Sequence, residues 1–224
     1  MLSDFPLLAL ATFAALFPIV NPLSTVSVFV ALTRHFPPSR RDQQMRMAVV
    51  YMAAVLLVTL FAGTLILGFF SISLYALRLA GGLVIARVGF SMLQSVSSQA
   101  EAEGDEASRV TGDVAFTPLA MPLLSGPGAM AVTIGMATEA ERPIEYLAVA
   151  AGILLVVFAS WMTLRSSQSI LRFLGSTGLD AMTRVMGFLL ICIGIQFVLS
   201  AIHESVLDPR IIEPLVRAVR AVDS

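Results

Sequence analysis

The sequence predicts an all-α integral membrane protein: six transmembrane helices forming two inverted three-helix repeats, with helices 1 and 4 broken at mid-membrane. Three observations carry this. Of 224 residues, 57% are hydrophobic and only 13% are charged, against about 25% charged in a soluble domain, and the mean hydropathy is +0.88. Apolar runs recur six times, each near the roughly 20 residues that cross a hydrocarbon core. The first and fourth runs each hold a cluster of prolines at mid-length.

The spans fall near residues 5–33, 46–69, 72–96, 114–138, 144–164 and 181–202. The first runs from Phe5 to Thr33 without a charge, and as one continuous helix it would reach about 43 Å, beyond the ~30 Å core. It contains Pro18, Asn21 and Pro22; the fourth contains Pro118, Pro122, Ser125, Gly126 and Pro127. Proline removes a backbone donor and clashes with the preceding turn, so such clusters break a helix. Broken backbone at membrane depth is tolerated only where it is buried in protein or lines a cavity. Both spans are therefore expected to face one interior site; the plainer alternative is two kinked helices that serve packing alone.

The two breaks belong to a repeat. Pro18-Ile-Val-Asn21-Pro22 aligns with Pro122-Leu-Leu-Ser125-Gly126-Pro127 with one residue inserted, and Pro22–Thr33 maps onto Pro127–Thr138 at an offset of 105. In the third and sixth spans, Arg78-Leu-Ala-Gly81 matches Arg184-Val-Met-Gly187 at 106. Three spans per repeat put the copies in opposite orientations, the plan of secondary transporters with a site at the repeat interface. Residues 1–100 then form the first repeat, 101–113 an acidic cytoplasmic loop, 114–203 the second repeat, and 204–224 an amphipathic tail lying at the surface.

Charge narrows the function classes. All 14 basic residues are Arg, and no basic run is dense enough for a nucleic-acid partner. The single Cys192 sits in an apolar run, which leaves no disulfide framework or Cys metal cluster. The start Met1-Leu2-Ser3-Asp4 lacks a positive region, so no cleaved signal peptide is expected. Six spans leave no room for a soluble catalytic domain, and an enzyme is not expected. The connections after spans 1, 3 and 5 hold Arg34, Arg40, Arg41, Arg46, Arg109, Arg165 and Arg172, whereas the other side has Arg142 and three in the tail. The positive-inside rule puts the first set in the cytoplasm and both termini outside.

Asn21 before Pro22, and Ser125 before Gly126-Pro127, are helix-start arrangements. Each break would begin a half-helix whose free N–H groups and positive dipole end lie at the membrane centre, suited to an anionic group such as a carboxylate. The preceding half-helices, ending near Ala15–Phe17 and Leu119–Met121, offer carbonyls for an ammonium group or a cation. A site of both polarities suits a zwitterion. Gly126, Gly128 and Ala129 let a ligand approach the backbone, and Ser24, Thr25 and Thr133 add hydroxyls; the bland alternative is small residues for helix packing. The candidate substrate contacts are thus Asn21, Pro22, Ser24, Thr25, Ser125, Gly126, Pro127, Gly128 and Thr133, with Pro18, Pro122, Arg78 and Arg184 gating or structural. No cofactor or metal is expected.

No carboxylate lies in the apolar interior of a span; Asp4, Asp113, Asp180 and Glu204 are at ends. A proton relay usually wants one, so the coupling ion, H+ or Na+, stays open, as does assembly into a homo-oligomer. Asp180 lies one turn before Arg184, in reach of a local pair. Arg87 lies nine residues past Arg78, on the opposite helix face, and is expected to face a cavity or a polar partner. His203 ends the sixth span at the interface.

The segment Phe17-Pro18-Ile19-Val20-Asn21-Pro22-Leu23, with Phe29 and Leu32-Thr33, resembles the first signature of the MarC family. Pro118-Leu-Ala-Met-Pro122-Leu-Leu-Ser-Gly126-Pro127-Gly128-Ala129 resembles its second and more specific one, and Leu77-Arg78-Leu-Ala-Gly81-Gly82 and Thr183-Arg184-Val-Met-Gly187 look like its third and sixth helices. The resemblance covers essentially the whole chain. It implies a multi-pass protein of the bacterial inner membrane and, from similar members, a transporter of small neutral amino acids such as glycine, alanine or serine. Two positions depart from the usual pattern: Ser24, where a second glycine is expected, and Arg87, where an apolar residue is usual. Competing readings are a passive small-solute channel with aquaporin-like half-helices, an intramembrane hydrolase built on Ser125 and His203, and export of a drug or other small metabolite. The lone Trp161 offers no support for a wide aromatic drug pocket.

Overall fold

A computed structural model describes residues 4–94 and 113–207. The connection 101–112 and the tail beyond 207, read above as an acidic loop and an amphipathic segment, lie outside the described residues. Among the described residues eight helices follow one another: α1 (Asp4–Val20), α2 (Pro22–Thr33), α3 (Pro38–Phe69), α4 (Leu74–Gln94), α5 (Ala115–Leu124), α6 (Pro127–Glu139), α7 (Pro143–Arg165) and α8 (Ser167–Leu207). No strand occurs among the described residues. Among the described residues four helices are long and apolar enough to cross a membrane alone, and two bent pairs, α1/α2 at 43° and α5/α6 at 60°, bring the total to six if each pair is one span. The outward faces agree with a lipid solvent: Leu65, Phe69 and Phe188 are 73%, 84% and 60% exposed, a continuous apolar surface that a water-soluble monomer rarely tolerates.

The helices overrun the apolar spans. α3 starts at Pro38 instead of 46, so Arg40, Arg41 and Arg46 ride on its first turns. Charged residues end the hydrophobic run without ending the helix, because Arg is a good helix former. α8 is interrupted at Gly175, whose φ of +66° is open to glycine. The break separates a short first segment from the span Thr177–Val206.

One seam organises the bundle. α4 and α8 run antiparallel with glycine against glycine: a Cβ added at Gly89 would lie 2.5 Å from the Gly187 carbonyl oxygen, and one at Gly194 the same distance from that of Gly82. Small residues of this kind let membrane helices meet backbone to backbone. The other contacts come in matched sets. α2 packs on α8 and α6 on α4; α1 packs on α7 and α5 on α3; α2 meets α7 and α6 meets α3. The core between these layers holds Leu16, Phe29, Met45, Met52, Leu56, Leu119 and Ile153, all nearly inaccessible.

The α2–α3 and α7–α8 connections and the start of α5 share the arginine-rich end of the bundle. There Arg41 Nη2 donates to the buried Ser167 Oγ at 2.8 Å, and the Arg41 guanidinium lies 5.2 Å from the Phe29 ring centre. Gln44, also buried, accepts from the Val114 N–H at 2.8 Å and anchors the start of α5. At the opposite end Glu145, in the first turn of α7, accepts from the Glu141 and Arg142 N–H groups.

The seam predicts a stability contrast. Gly194→Ala should destabilise the detergent-solubilised protein by about 1–3 kcal/mol, the usual scale of overpacking, and lower its thermal midpoint by several degrees. Gly135→Ala, where an added Cβ meets nothing within 4 Å, should leave the midpoint unchanged or raised. Equal midpoints for the two variants would remove the seam's special role.

Candidate functional site

The first break is built around Asn21. Pro22 has no N–H to continue the ladder, and Asn21 takes a left-handed conformation, φ 44° and ψ 63°, ending α1 and starting α2. Asn tolerates this region better than most residues. Its Oδ1 accepts from the Ser24 N–H at 3.4 Å, and its carbonyl accepts from the Ser24 and Thr25 hydroxyls at 3.0 and 3.4 Å. Its Nδ2 donates to Met92 Sδ of α4 at 3.7 Å. The side chain is buried, so the break is tied to α4 as well as capped.

The second break is made differently. The residues before Pro118 and Pro122 are pushed towards extended backbone, and Thr117 and Met121 adopt it, with ψ near 125° and 124°. Between them α5 winds in wide turns, the Leu119 N–H reaching the Val114 carbonyl and the Ser125 N–H reaching that of Ala120. Here the expectation for Ser125 is corrected. Gly126, not Ser125, is the residue that opens α6, and no side chain caps it. The Ser125 hydroxyl points backwards and donates to the Ala120 carbonyl at 2.7 Å. Two of the carbonyls offered for a cation are likewise in use: Phe17 accepts from the Asn21 N–H and Ala120 from the Ser125 N–H.

Glycine at 126 and 128 answers to close approach. A Cβ at Gly126 would lie 2.6 Å from the Pro122 carbonyl oxygen, and one at Gly128 would lie 2.6 Å from Ile85 of α4. The start of α6 thus abuts both its own preceding turn and α4.

The breaks meet at a cavity of about 300 Å³, at the small end of ligand pockets. Asn21, Ser24, Thr25, Pro122, Gly126, Pro127 and Gly128 line it. Pro22, Ser125 and Thr133 do not; Pro22 and Ser125 are buried outside its lining, and the Thr133 hydroxyl donates to the Ala129 carbonyl of its own helix at 2.8 Å. Pro18 lies inside α1, below the wall. The sequence reading missed Ser27, Ser91 and Thr183, hydroxyls from α2, α4 and α8 that also line the cavity. Ser91 shares a helical face with Val84 and Val88, a spacing that would have pointed to it once α4 was placed beside the breaks. Among the described residues no charged side chain lines this space. It lies towards the arginine-rich end, between the first turns of α2 and the later turns of α4.

The arginines separate. Arg78 donates to Glu139 Oε1 at 2.6 Å and to Glu204 at the end of α8, closing the opposite end of the bundle. Arg184 is exposed and makes no pair with Asp180 or any other described residue. Arg87 corrects its expectation: it faces outward from α4, outside the cavity wall, with no hydrogen bond or ion pair among the described residues. A long stem that lets the guanidinium snorkel accounts for it without a partner. His203 is exposed and makes no hydrogen bond with Ser125.

The left-handed Asn21 predicts an ordered pair of variants. Asn21→Ala should cost about 1–2 kcal/mol in the αL region beyond the loss of the cap, whereas Asn21→Gly should cost a few tenths. Equal thermal midpoints would show that this backbone conformation does not govern the break.

The comparisons with known proteins agree with this architecture. The profile described as MarC family integral membrane protein matches residues 7–206. The chain is 39% identical over 201 residues to the inner membrane protein MarC of Salmonella typhimurium, covering 84% of this chain and 91% of the relative. It is also 39% identical over 204 residues to the protein of that name from Escherichia coli O1:K1 / APEC, with the same coverage. No solved structure matches the chain. An integral membrane helix bundle with two broken spans, matched along nearly its whole length, places this chain in the MarC family.

Proposed function

We propose that this protein is a secondary transporter of small neutral amino acids, of the glycine, alanine and serine type, working by alternating access in a bacterial inner membrane. The observation that carries it is the convergence of both broken spans on one small cavity. The start of α6 at Gly126–Ala129 forms part of the wall and carries no side-chain cap. Its first-turn N–H groups therefore have no partner within the helix, and the dipole favours an anionic group there. A substrate carboxylate is the fitting ligand. Ser24, Thr25, Ser27, Ser91 and Thr183 supply hydroxyls for the ammonium group and side chain. A wall with no formal charge suits a substrate whose own charges cancel.

The inverted repeat supports the mechanism. The matched contacts of α2 on α8 and α6 on α4 are what two copies in opposite orientation produce, and such copies rock about a central site in other carriers. With the arginine-rich end in the cytoplasm, both termini are periplasmic and the cavity lies nearer the inner side. The names of the Salmonella and Escherichia relatives agree with an inner-membrane location.

Counterflow tests the reading. Proteoliposomes loaded with unlabelled glycine, alanine, serine or threonine, without an ion gradient, should take up the labelled amino acid in a saturable way. Ser24→Leu, which puts an isobutyl group into the wall, should lose threonine exchange before glycine exchange. A folded protein that exchanges none of the four overturns the substrate class, and non-saturating conductance would make it a channel. Separately, a reporter fused to the C-terminus should read outside the cytoplasm; a cytoplasmic signal reverses the orientation.

A further inference from the structure

A second cavity, of about 270 Å³, lies between α4, α6 and α8 at the end of the bundle away from the arginine-rich connections. Its walls repeat those of the first. Ser27, Ser91, Met92 and Thr183 line the first cavity; Val132, Gln196, Phe197 and Arg78 line the second. Each pair is 105 residues apart, the offset of the broken spans and one short of the 106 that relates the third and sixth. Two positions exchange a hydroxyl for a larger polar or charged group: where the first cavity has Ser91 and Thr183, the second has Gln196 and Arg78. The Arg78 guanidinium joins Glu139, the last residue of α6, to Glu204 near the end of α8.

We propose that Arg78, Glu139 and Glu204 form a latch that ties the end of α6 to α4 and α8 beside this second cavity and keeps its inner wall at Gly135 covered, and that the cavity is the opposite access route to the broken-helix site. The direction follows from burial. The Arg78 side chain is 14% exposed, whereas Glu139 and Glu204 are 63% and 43% exposed. Removing the carboxylates leaves a nearly buried guanidinium unpaired, which is costly and is relieved by admitting water to the cavity. The arginine-rich end carries no copy of the latch among the described residues: Arg34 stands where the offset puts the equivalent of Glu139, and its guanidinium donates to His35. The two ends are therefore chemically distinct, and the latch favours the observed arrangement over its mirror. The word access rests on the transport reading; the latch itself does not.

Cysteine accessibility tests it in a Cys192→Ser background. Gly135→Cys reports on the second cavity, because Gly135 is buried in its wall and an added Cβ meets nothing within 4 Å. Ser27→Cys reports on the first, with little change in size. Each is labelled in membranes with a maleimide that cannot cross the bilayer, presented from the side its cavity faces. Replacing both carboxylates, Glu139→Gln with Glu204→Gln, should raise the labelling rate of Gly135→Cys by about 5-fold or more, the ratio expected for loss of a modest ion pair, and lower that of Ser27→Cys. The exchanged variant Arg78→Glu with Glu139→Arg should move both rates back towards the parent. Unchanged rates at both positions overturn the latch. Rates that rise together also overturn it, since they report loosening. Altered labelling without amino-acid exchange leaves the latch standing and removes the substrate; exchange with unaltered labelling does the reverse.

Discussion

A peptide group inside a bilayer has no water to bond, and the molecule is arranged around the few places where its helices cannot bond to themselves. Pro18, Pro22, Pro118, Pro122 and Pro127 each remove a donor, and four of them sit in a turn that is broken or widened. Each gap is filled locally: Asn21 turns its side chain onto the Ser24 N–H, and Ser125 uses both its N–H and its hydroxyl on one carbonyl. The first turn of α6 is the exception. Its uncapped start lies in a cavity, and lipid-exposed backbone of this kind does not occur in the hydrocarbon region. The surrounding helices have to enclose it, which is why α4 and α8 close over both breaks.

Much of this was legible in the residues. The positions of both breaks, the six spans and the membrane environment follow from proline clusters inside apolar runs. Asn21 was readable as a cap because its chemistry is local, acting within three residues. Ser125 was not, although it precedes Gly126-Pro127 in the same way. Wide turns between Pro118 and Pro122 carry its hydroxyl back onto Ala120, and such winding depends on how two prolines share one short segment. The inserted residue in that half of the repeat was the visible sign that the two breaks differ.

Contacts across the bundle were harder to read. Ser91 and Thr183 reach the cavity only because α4 and α8 pack at glycine distance, a fact of tertiary spacing. Arg78 and Arg184 look equivalent in sequence, yet one is enclosed by two carboxylates and the other is exposed. What separates them is their partners' positions: Glu139 and Glu204 lie far from Arg78 along the chain and near it in space. Arg87 shows the same limit, since a long side chain at a helix surface can reach an interface without facing inward.

The glycine seam also decides what is free to move. Where two helices touch through backbone, any slide or tilt drives carbonyl oxygens into α-carbons, so α4 and α8 behave as a single beam. Arg78 and Glu204 are both carried on that beam, while Glu139 is carried on the tip of α6. Of the three charges, Glu139 is therefore the one on a separate element, and the swing of one half-helix against a fixed post is the motion by which the proposed latch would release.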